Sequence, residues 1–362
     1  MDFSLSEEQV LLRDSAREFL DMEWPGPELR RMLDPADADS AAAGLWPKMA
    51  ELGWLGILVT EDDGGLDLGM FDLAVLMEET GRSLIPGDLH ASGVLAATAI
   101  GTIGTAEARQ RYLSDIAEGL KKATVGIYDQ GSGWTPMLLE RRSEHAGATK
   151  RYVPEAAGAD LILFLSRTGG NAVELAVAHE PAITDLQSMD ATRRLYEVSC
   201  KPGMIETIGT GTLGDLQATV DRATIALSAE MVGTAAQVLD VTIEYVKNRK
   251  QFGRPVGSFQ AVQHRAADVL IGIEKGRSAA YYAAAVADEQ PESLGRAASM
   301  AKAAANSMLV QAAQAGIQLH GGLGFTWEQD LHLYLKRAKA CEFTYGDTRW
   351  HLDRIAHGLG LS

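Results

Sequence analysis

Arg249, Lys250 and Arg254 stand close together beside Gly253, Pro255 and Gly257, in a 362-residue chain whose formal net charge is −16. They lie in the stretch Asn248-Arg249-Lys250-Gln251-Phe252-Gly253-Arg254-Pro255-Val256-Gly257-Ser258-Phe259-Gln260, which breaks two long amphipathic helix patterns. A basic, glycine-containing turn at helix ends suits an anionic ligand, because guanidinium and backbone N–H groups bind phosphate well. A solvated helix–helix connection has the same composition. A second segment, Gln318-Leu319-His320-Gly321-Gly322-Leu323-Gly324-Phe325, concentrates glycines after another helix pattern. A lone histidine such as His320 is more readily a packing or hydrogen-bonding residue than a catalyst.

The elements that position these segments are mostly helical. Residues 1 to about 118 read as helix. Ser6 with Gln9 makes a capping-box pattern, and Leu12, Ala16, Phe19 and Leu20 follow on one face. The segment from Pro25 to Pro35 reads as a loop, with helix resuming around Trp46 and again from Met70 to Glu79. From about 121 to 215 the pattern turns strand-like, at Ala123–Tyr128, Leu161–Ser166, Ala172–Ala178 and Leu195–Ser199, as in a small antiparallel β domain. Helix then returns over Val220–Val246, Phe259–Ala287 and from Pro291 to Leu319. Lengths of roughly 28 residues exceed ordinary globular helices and fit a bundle.

The bulk properties narrow the function classes. The length favours two or three domains or layers, and a hydrophobic content of 46% is ample for a core. No apolar run reaches the roughly 18 residues that span a bilayer. The acidic, amphipathic first residues lack the basic region of a signal peptide. Cys200 and Cys341 form no CxxC pair and predict neither a disulfide framework nor a metal site, so a cytoplasmic location is expected. An acidic balance argues against nucleic-acid binding.

The two segments together resemble the acyl-CoA dehydrogenase family, with its Arg-Lys-x-Phe-Gly-x-Pro-Ile-x-x-Phe-Gln and Gln-x-x-Gly-Gly-x-Gly-Phe/Tyr motifs. The likeness extends to Phe3–Gln9, Arg17-Glu18-Phe19, Trp46–Trp54, Glu61–Gly65 and Glu78–Arg82. It implies a mostly α fold with a central β domain: an N-terminal helical domain (1–118), a middle antiparallel β-barrel (119–215) and a C-terminal four-helix bundle (216–362). It also implies FAD, which takes a hydride from the acyl-CoA β-carbon while a glutamate removes the α-proton. In the family the arginine segment holds the pyrophosphate of an FAD bound mainly by the neighbouring subunit. Carried over, Arg249 pairs with pyrophosphate, with Gln251 and Phe252 beside it, and Gln318, Gly321 and Gly322 approach the adenosine side.

The other half of the family's site departs from its pattern. Where Thr-Glu-Pro-x-x-Gly-Ser-Asp is expected, the chain has Gly126-Ile127-Tyr128-Asp129-Gln130-Gly131-Ser132-Gly133. The Trp-Ile-Thr contact becomes Tyr152-Val153-Pro154, and Pro154 offers neither hydroxyl nor N–H. Tyr345 stands where the catalytic glutamate is expected, and Ala223 at the alternative position some members use. A phenol with a pKa of about 10 is a poor base at neutral pH. Asp221 and Asp347 remain as displaced candidates, each more simply a helix-surface or capping acid. The chain therefore resembles the degenerate, non-catalytic subunits of actinobacterial α2β2 acyl-CoA dehydrogenases acting on steroid side-chain CoA thioesters. That implies an FAD shared with a homologous catalytic partner, acyl-CoA bound mainly by that partner, and an electron-transfer acceptor. A self-sufficient dehydrogenase with a displaced base, or a repurposed non-redox protein of the same fold, are the alternatives.

Overall fold

The computed structural model describes residues 4–34, 36–131, 139 and 147–361. Helix α1 (Glu7–Glu23) begins at Ser6, whose hydroxyl accepts from the Gln9 N–H while the Gln9 side chain accepts from the Ser6 N–H. The next helix, α2 (Gly26–Arg31), lies where a loop was expected. Pro25 and Pro27 sit at its very start, where a missing N–H breaks no helical bond, so prolines that read as loop punctuation open a helix instead. Short α3 (Ala38–Ala42) and α4 (Leu45–Glu51) lead to α5 (Met70–Ser83). A π-helical run, Leu89–Ala96, continues into α6 (Ala97–Ile103), and α7 (Ala106–Ala117) closes the region.

The middle of the chain forms β1 (Ala123–Gly126), β2 (Tyr128–Asp129), β3 (Ala148–Pro154), β4 (Leu161–Gly169), β5 (Ala172–Ala178), β6 (Ala182–Leu186), β7 (Leu195–Cys200) and β8 (Ile205–Thr212). Two four-stranded sheets result, ordered β1-β4-β5-β8 and β2-β3-β7-β6. One pair corrects the antiparallel expectation: β1 runs parallel to β4, with Ala123 opposite Leu161. A parallel pair needs a long crossover, and the residues between β1 and β4 supply it. Val153 and Val198 of one sheet meet Ile162 and Phe164 of the other in a small core of their own.

Helix α8 (Leu213–Asn248) opens on a Thr212–Asp215 capping box. The hairpin β9 (Lys250–Gln251) and β10 (Arg254–Pro255) reverses the chain into α9 (Gln260–Glu289). Pro291 opens a 3-10 turn before α10 (Leu294–His320), and α11 (Leu331–Phe343) and α12 (Thr348–Gly358) complete the bundle. Helices α5 and α8 touch backbone to backbone. A Cβ on Gly233 would lie 1.7 Å from the Glu78 carbonyl oxygen, and one on Gly81 would lie 1.9 Å from that of Glu230. This close crossing seats Glu78, Glu79 and Glu230 inside the protein, where each is paired with arginine. Among the described residues no helix is long and apolar enough to cross a membrane.

Candidate functional site

The basic segment caps one end of the bundle. Arg249 ends α8, and the β9–β10 hairpin projects Phe252 so far that 91% of it is exposed. The turn needs left-handed backbone at Phe252 (φ 53°) and Gly253 (φ 80°). The Arg254 guanidinium lies 4.0 Å from the centre of the Phe259 ring. Among the described residues no carboxylate pairs with Arg249, Lys250 or Arg254, although acids outnumber bases in the chain and the neighbouring Lys247 pairs with Glu244. The glycine segment joins them at the same end. Gln318, Gly321 and Gly322 are exposed, and a Cβ on either glycine would meet nothing within 4 Å, so the backbone is open to a ligand. His320 links the two segments. Its ring stacks on Tyr245 at 4.2 Å, its Nδ1 lies 2.8 Å from the Gly316 carbonyl oxygen, and the Tyr245 hydroxyl donates to its carbonyl at 3.3 Å. Its role is to pack the ends of α8 and α10 together.

The segments expected around a flavin ring and a base meet elsewhere. They line a cavity of about 340 Å³ between the sheets and the helices. Ile127, Tyr128, Tyr152 and Pro154 form one side, and Phe343 and Tyr345 close another. Ser132 and Gly133, the end of the expected Gly126–Gly133 contact, lie outside the described residues. The Tyr128 hydroxyl accepts from the Tyr345 N–H at 3.0 Å, which ties the sheet segment directly to the turn expected to carry the base. Tyr345 itself is buried with φ 61°. Burial, then the neighbouring Tyr128, pushes its phenol well above the ordinary tyrosine range, so it carries no negative charge near neutral pH.

His90, on the π-helical run, connects both positions at which a glutamate was expected. Its ring stacks on Tyr345 at 5.7 Å, and its Nε2 lies 3.1 Å from the Ala223 carbonyl oxygen. A carbonyl only accepts, so the ring proton sits on Nε2 and Nδ1 is left as an acceptor. Burial, then the Arg193 charge, lowers the His90 pKa to about 4. Arg193 also lines the cavity and pairs with Glu230, which in turn pairs with Arg337. Arg337 completes the group through Asp190 at 2.6 Å. Asp221 and Asp347 are not on the cavity wall. Asp221 holds Arg354 with contacts of 2.8 and 3.1 Å, and Asp347 caps α12 by accepting from the Trp350 N–H at 2.8 Å. Below the Tyr345 turn, fully buried Lys302 donates to the carbonyls of Cys341 at 2.8 Å and Gly346 at 3.3 Å, holding the turn from both sides.

The cavity's His90 and Arg193 touch α8 at Ala223 and Glu230, whereas the basic hairpin follows its C-terminal end. Ala223 and Asn248 are 25 residues apart on that helix, about 37 Å at 1.5 Å per residue. His90 and Arg193 escaped the sequence reading, since neither lies in a patterned motif. Their only signal is a polar residue inside the apolar run after Leu84 and a basic pair, Arg193-Arg194, in an acidic chain.

Two buried histidines give a pH prediction. His90, and His351 with a pKa of about 3, are both lowered chiefly by burial. Between pH 6.5 and 4 the unfolded chain binds protons that the folded chain refuses, so stability falls as pH drops through that window. Each such proton contributes about 1.4 kcal/mol per pH unit. Thermal unfolding of His90→Asn against the parent should show a shallower loss over that range, and parallel curves would refute the assignment.

Two family models match the helical regions on either side of the sheets. Residues 6–120 match the acyl-CoA dehydrogenase N-terminal domain and residues 213–360 the acyl-CoA dehydrogenase C-terminal domain. The acyl-CoA dehydrogenase IpdE2 of Mycolicibacterium smegmatis is 31% identical, over 97% of this chain and 98% of its own length. The IpdE2 of Mycobacterium tuberculosis is 32% identical, over 92% and 91%. Among solved structures, the Tcur3481–Tcur3483 steroid ACAD is 29% identical with a TM-score of 0.86, covering 99% of each chain. The ChsE4–ChsE5 complex of Mycobacterium tuberculosis shares the fold, with a TM-score of 0.90 at 24% identity and complete coverage of both chains.

Proposed function

From the premise that this chain belongs to the acyl-CoA dehydrogenase family, we propose that it is the non-catalytic subunit of a two-component enzyme. In this reading it supplies the trans half of an FAD site to a homologous partner, which carries the base, most flavin contacts and most of the acyl-CoA site. The flavin, when bound, accepts the hydride and passes electrons to an external acceptor. The domains proposed are 1–118, 119–215 and 216–362, in a cytoplasmic enzyme. Relatives that include a steroid ACAD favour a bulky acyl group, such as a steroid side-chain thioester.

One contrast carries the reading. The bundle end presents three cations that have no carboxylate partner among the described residues, beside open glycines, which fits a pyrophosphate. The cavity holds no carboxylate among its described lining residues, and Tyr128 bonds across to the Tyr345 turn. Its residues therefore do not fit a flavin ring facing a thioester and a carboxylate base. Arg249, Gln251, Phe252, Gln318, Gly321 and Gly322 are the residues proposed to meet the partner's FAD.

A second reading, a self-sufficient dehydrogenase with a displaced base, has one observation in its favour: His90 bridges Tyr345 and Ala223. Turnover of the assembled enzyme separates the two. A true general base is worth about 10²–10⁴-fold in rate. Tyr345→Phe and His90→Gln should each leave turnover within a few-fold of the parent. Loss of turnover by two orders of magnitude in either, with flavin content and assembly normal, would place the base in this chain.

A further inference from the structure

If thioester oxidation is the partner's task, the cavity of about 340 Å³ in this chain has no assigned occupant. We propose that it binds an uncharged ligand with a compact apolar body and a single hydroxyl group, independently of FAD. The inference rests on the preceding reading only in placing the oxidation elsewhere.

The apolar part of the ligand is set by the wall. Leu95, Val125, Ile127, Leu186, Met189 and Leu195 supply a continuous hydrocarbon lining, and pockets of this size and character hold small organic molecules. The hydroxyl is set by two polar side chains. The Nε–H of Arg193 is buried with no hydrogen-bond partner among the described residues. His90 keeps its proton on Nε2 against Ala223, so its Nδ1 accepts. Both line the cavity, and the Arg193 charge helps keep the imidazole neutral. A hydroxyl accepts from an arginine and donates to an imidazole at once. A ketone satisfies only the first, and a hydrocarbon neither.

Charge excludes a carboxylate. Arg193 and Arg337 are balanced by Glu230 and Asp190, so the buried group is neutral and an anion would enter without a free counter-charge. The other cation on the wall, Lys339, is 38% exposed and pairs with Glu342 at 2.9 Å, so it sits at the rim and is already neutralised.

Calorimetric titration of the complex isolated through a tag on this chain tests the proposal, using 2-decalol, decalin and decalin-2-carboxylate as probes. The expected result is one saturable site per copy of this chain, with 2-decalol bound about tenfold more tightly than either control, the worth of one good hydrogen bond. His90→Phe, which keeps an aromatic ring against Tyr345, should erase the preference over decalin. Met189→Trp, a change at an exposed wall position, should weaken all apolar probes. No saturable binding, a carboxylate bound as tightly as the alcohol, or a preference unchanged by His90→Phe would overturn the proposal. Arg249→Ala separates the two failures: it should lower the flavin affinity of the complex while 2-decalol still binds. If Arg249→Ala loses flavin affinity as expected but 2-decalol fails to bind the parent, this inference fails alone; if flavin affinity is unchanged while 2-decalol binds, the preceding reading fails alone.

Discussion

Arg249→Ala should lower the FAD affinity of the assembled enzyme about ten- to a hundredfold while leaving the fold intact. The magnitude follows from one lost charge-assisted contact, about 1.5–3 kcal/mol, at 1.4 kcal/mol per decade. Its small effect on folding follows from its position. Arg249 is exposed at the end of α8, and no described carboxylate depends on it. Neighbouring Lys250 and Arg254 remain, so the loss is partial. Flavin titration at two salt concentrations checks both points, because an exposed phosphate contact weakens as salt screens it. Unchanged affinity in a folded variant would remove this arginine from the cofactor site.

Arg337→Leu should act on stability, with an expected loss of about 3–5 kcal/mol, the range for breaking one side of a buried charge pair. Arg337 is fully buried. It donates to Asp190 and Glu230, to the Thr192 hydroxyl at 2.6 Å and to the Ile85 carbonyl at 3.1 Å. Burial opposes ionisation of Glu230, yet Arg193 and Arg337 together hold its carboxyl below the usual range. Removing Arg337 leaves two buried carboxylates with one cation between them. These groups come from α8, α11, and the segment between β6 and β7, so the loss should loosen the sheets from the helices. A urea midpoint equal to the parent's would show that the quartet does not clamp those parts together.

The parts of this architecture that repeat locally were legible in the sequence. Helices α8, α9 and α10 carry apolar residues at helical spacing over many turns, and Ser6 with Gln9 announces its own cap. Residues 89–100 are buried on every side, so they show no stripe from which a π-helical run could be told from ordinary helix. Strand β8 is rich in threonine and glycine, and β6 is exposed along most of its length, so neither alternates. The parallel β1–β4 pair is a long-range contact that no local pattern encodes. The same division runs through the candidate site. Arg249 and Gly321 stand in motifs readable as strings. His90, Arg193 and Arg337 gain their meaning only when the chain brings π-helical run, sheet and α11 together. Asp221 and Asp347, plausible bases by counting, are occupied with Arg354 and the cap of α12.

The central claim is that this chain completes another subunit's flavin site and builds none of its own. The most direct test is the flavin-to-chain ratio, measured by absorbance on the chain purified alone and on the complex with its homologous partner. The account predicts little flavin on the chain alone and one flavin per pair of unlike chains in the complex. A chain that assembles by itself, yellow, with close to one flavin per polypeptide, would contradict it.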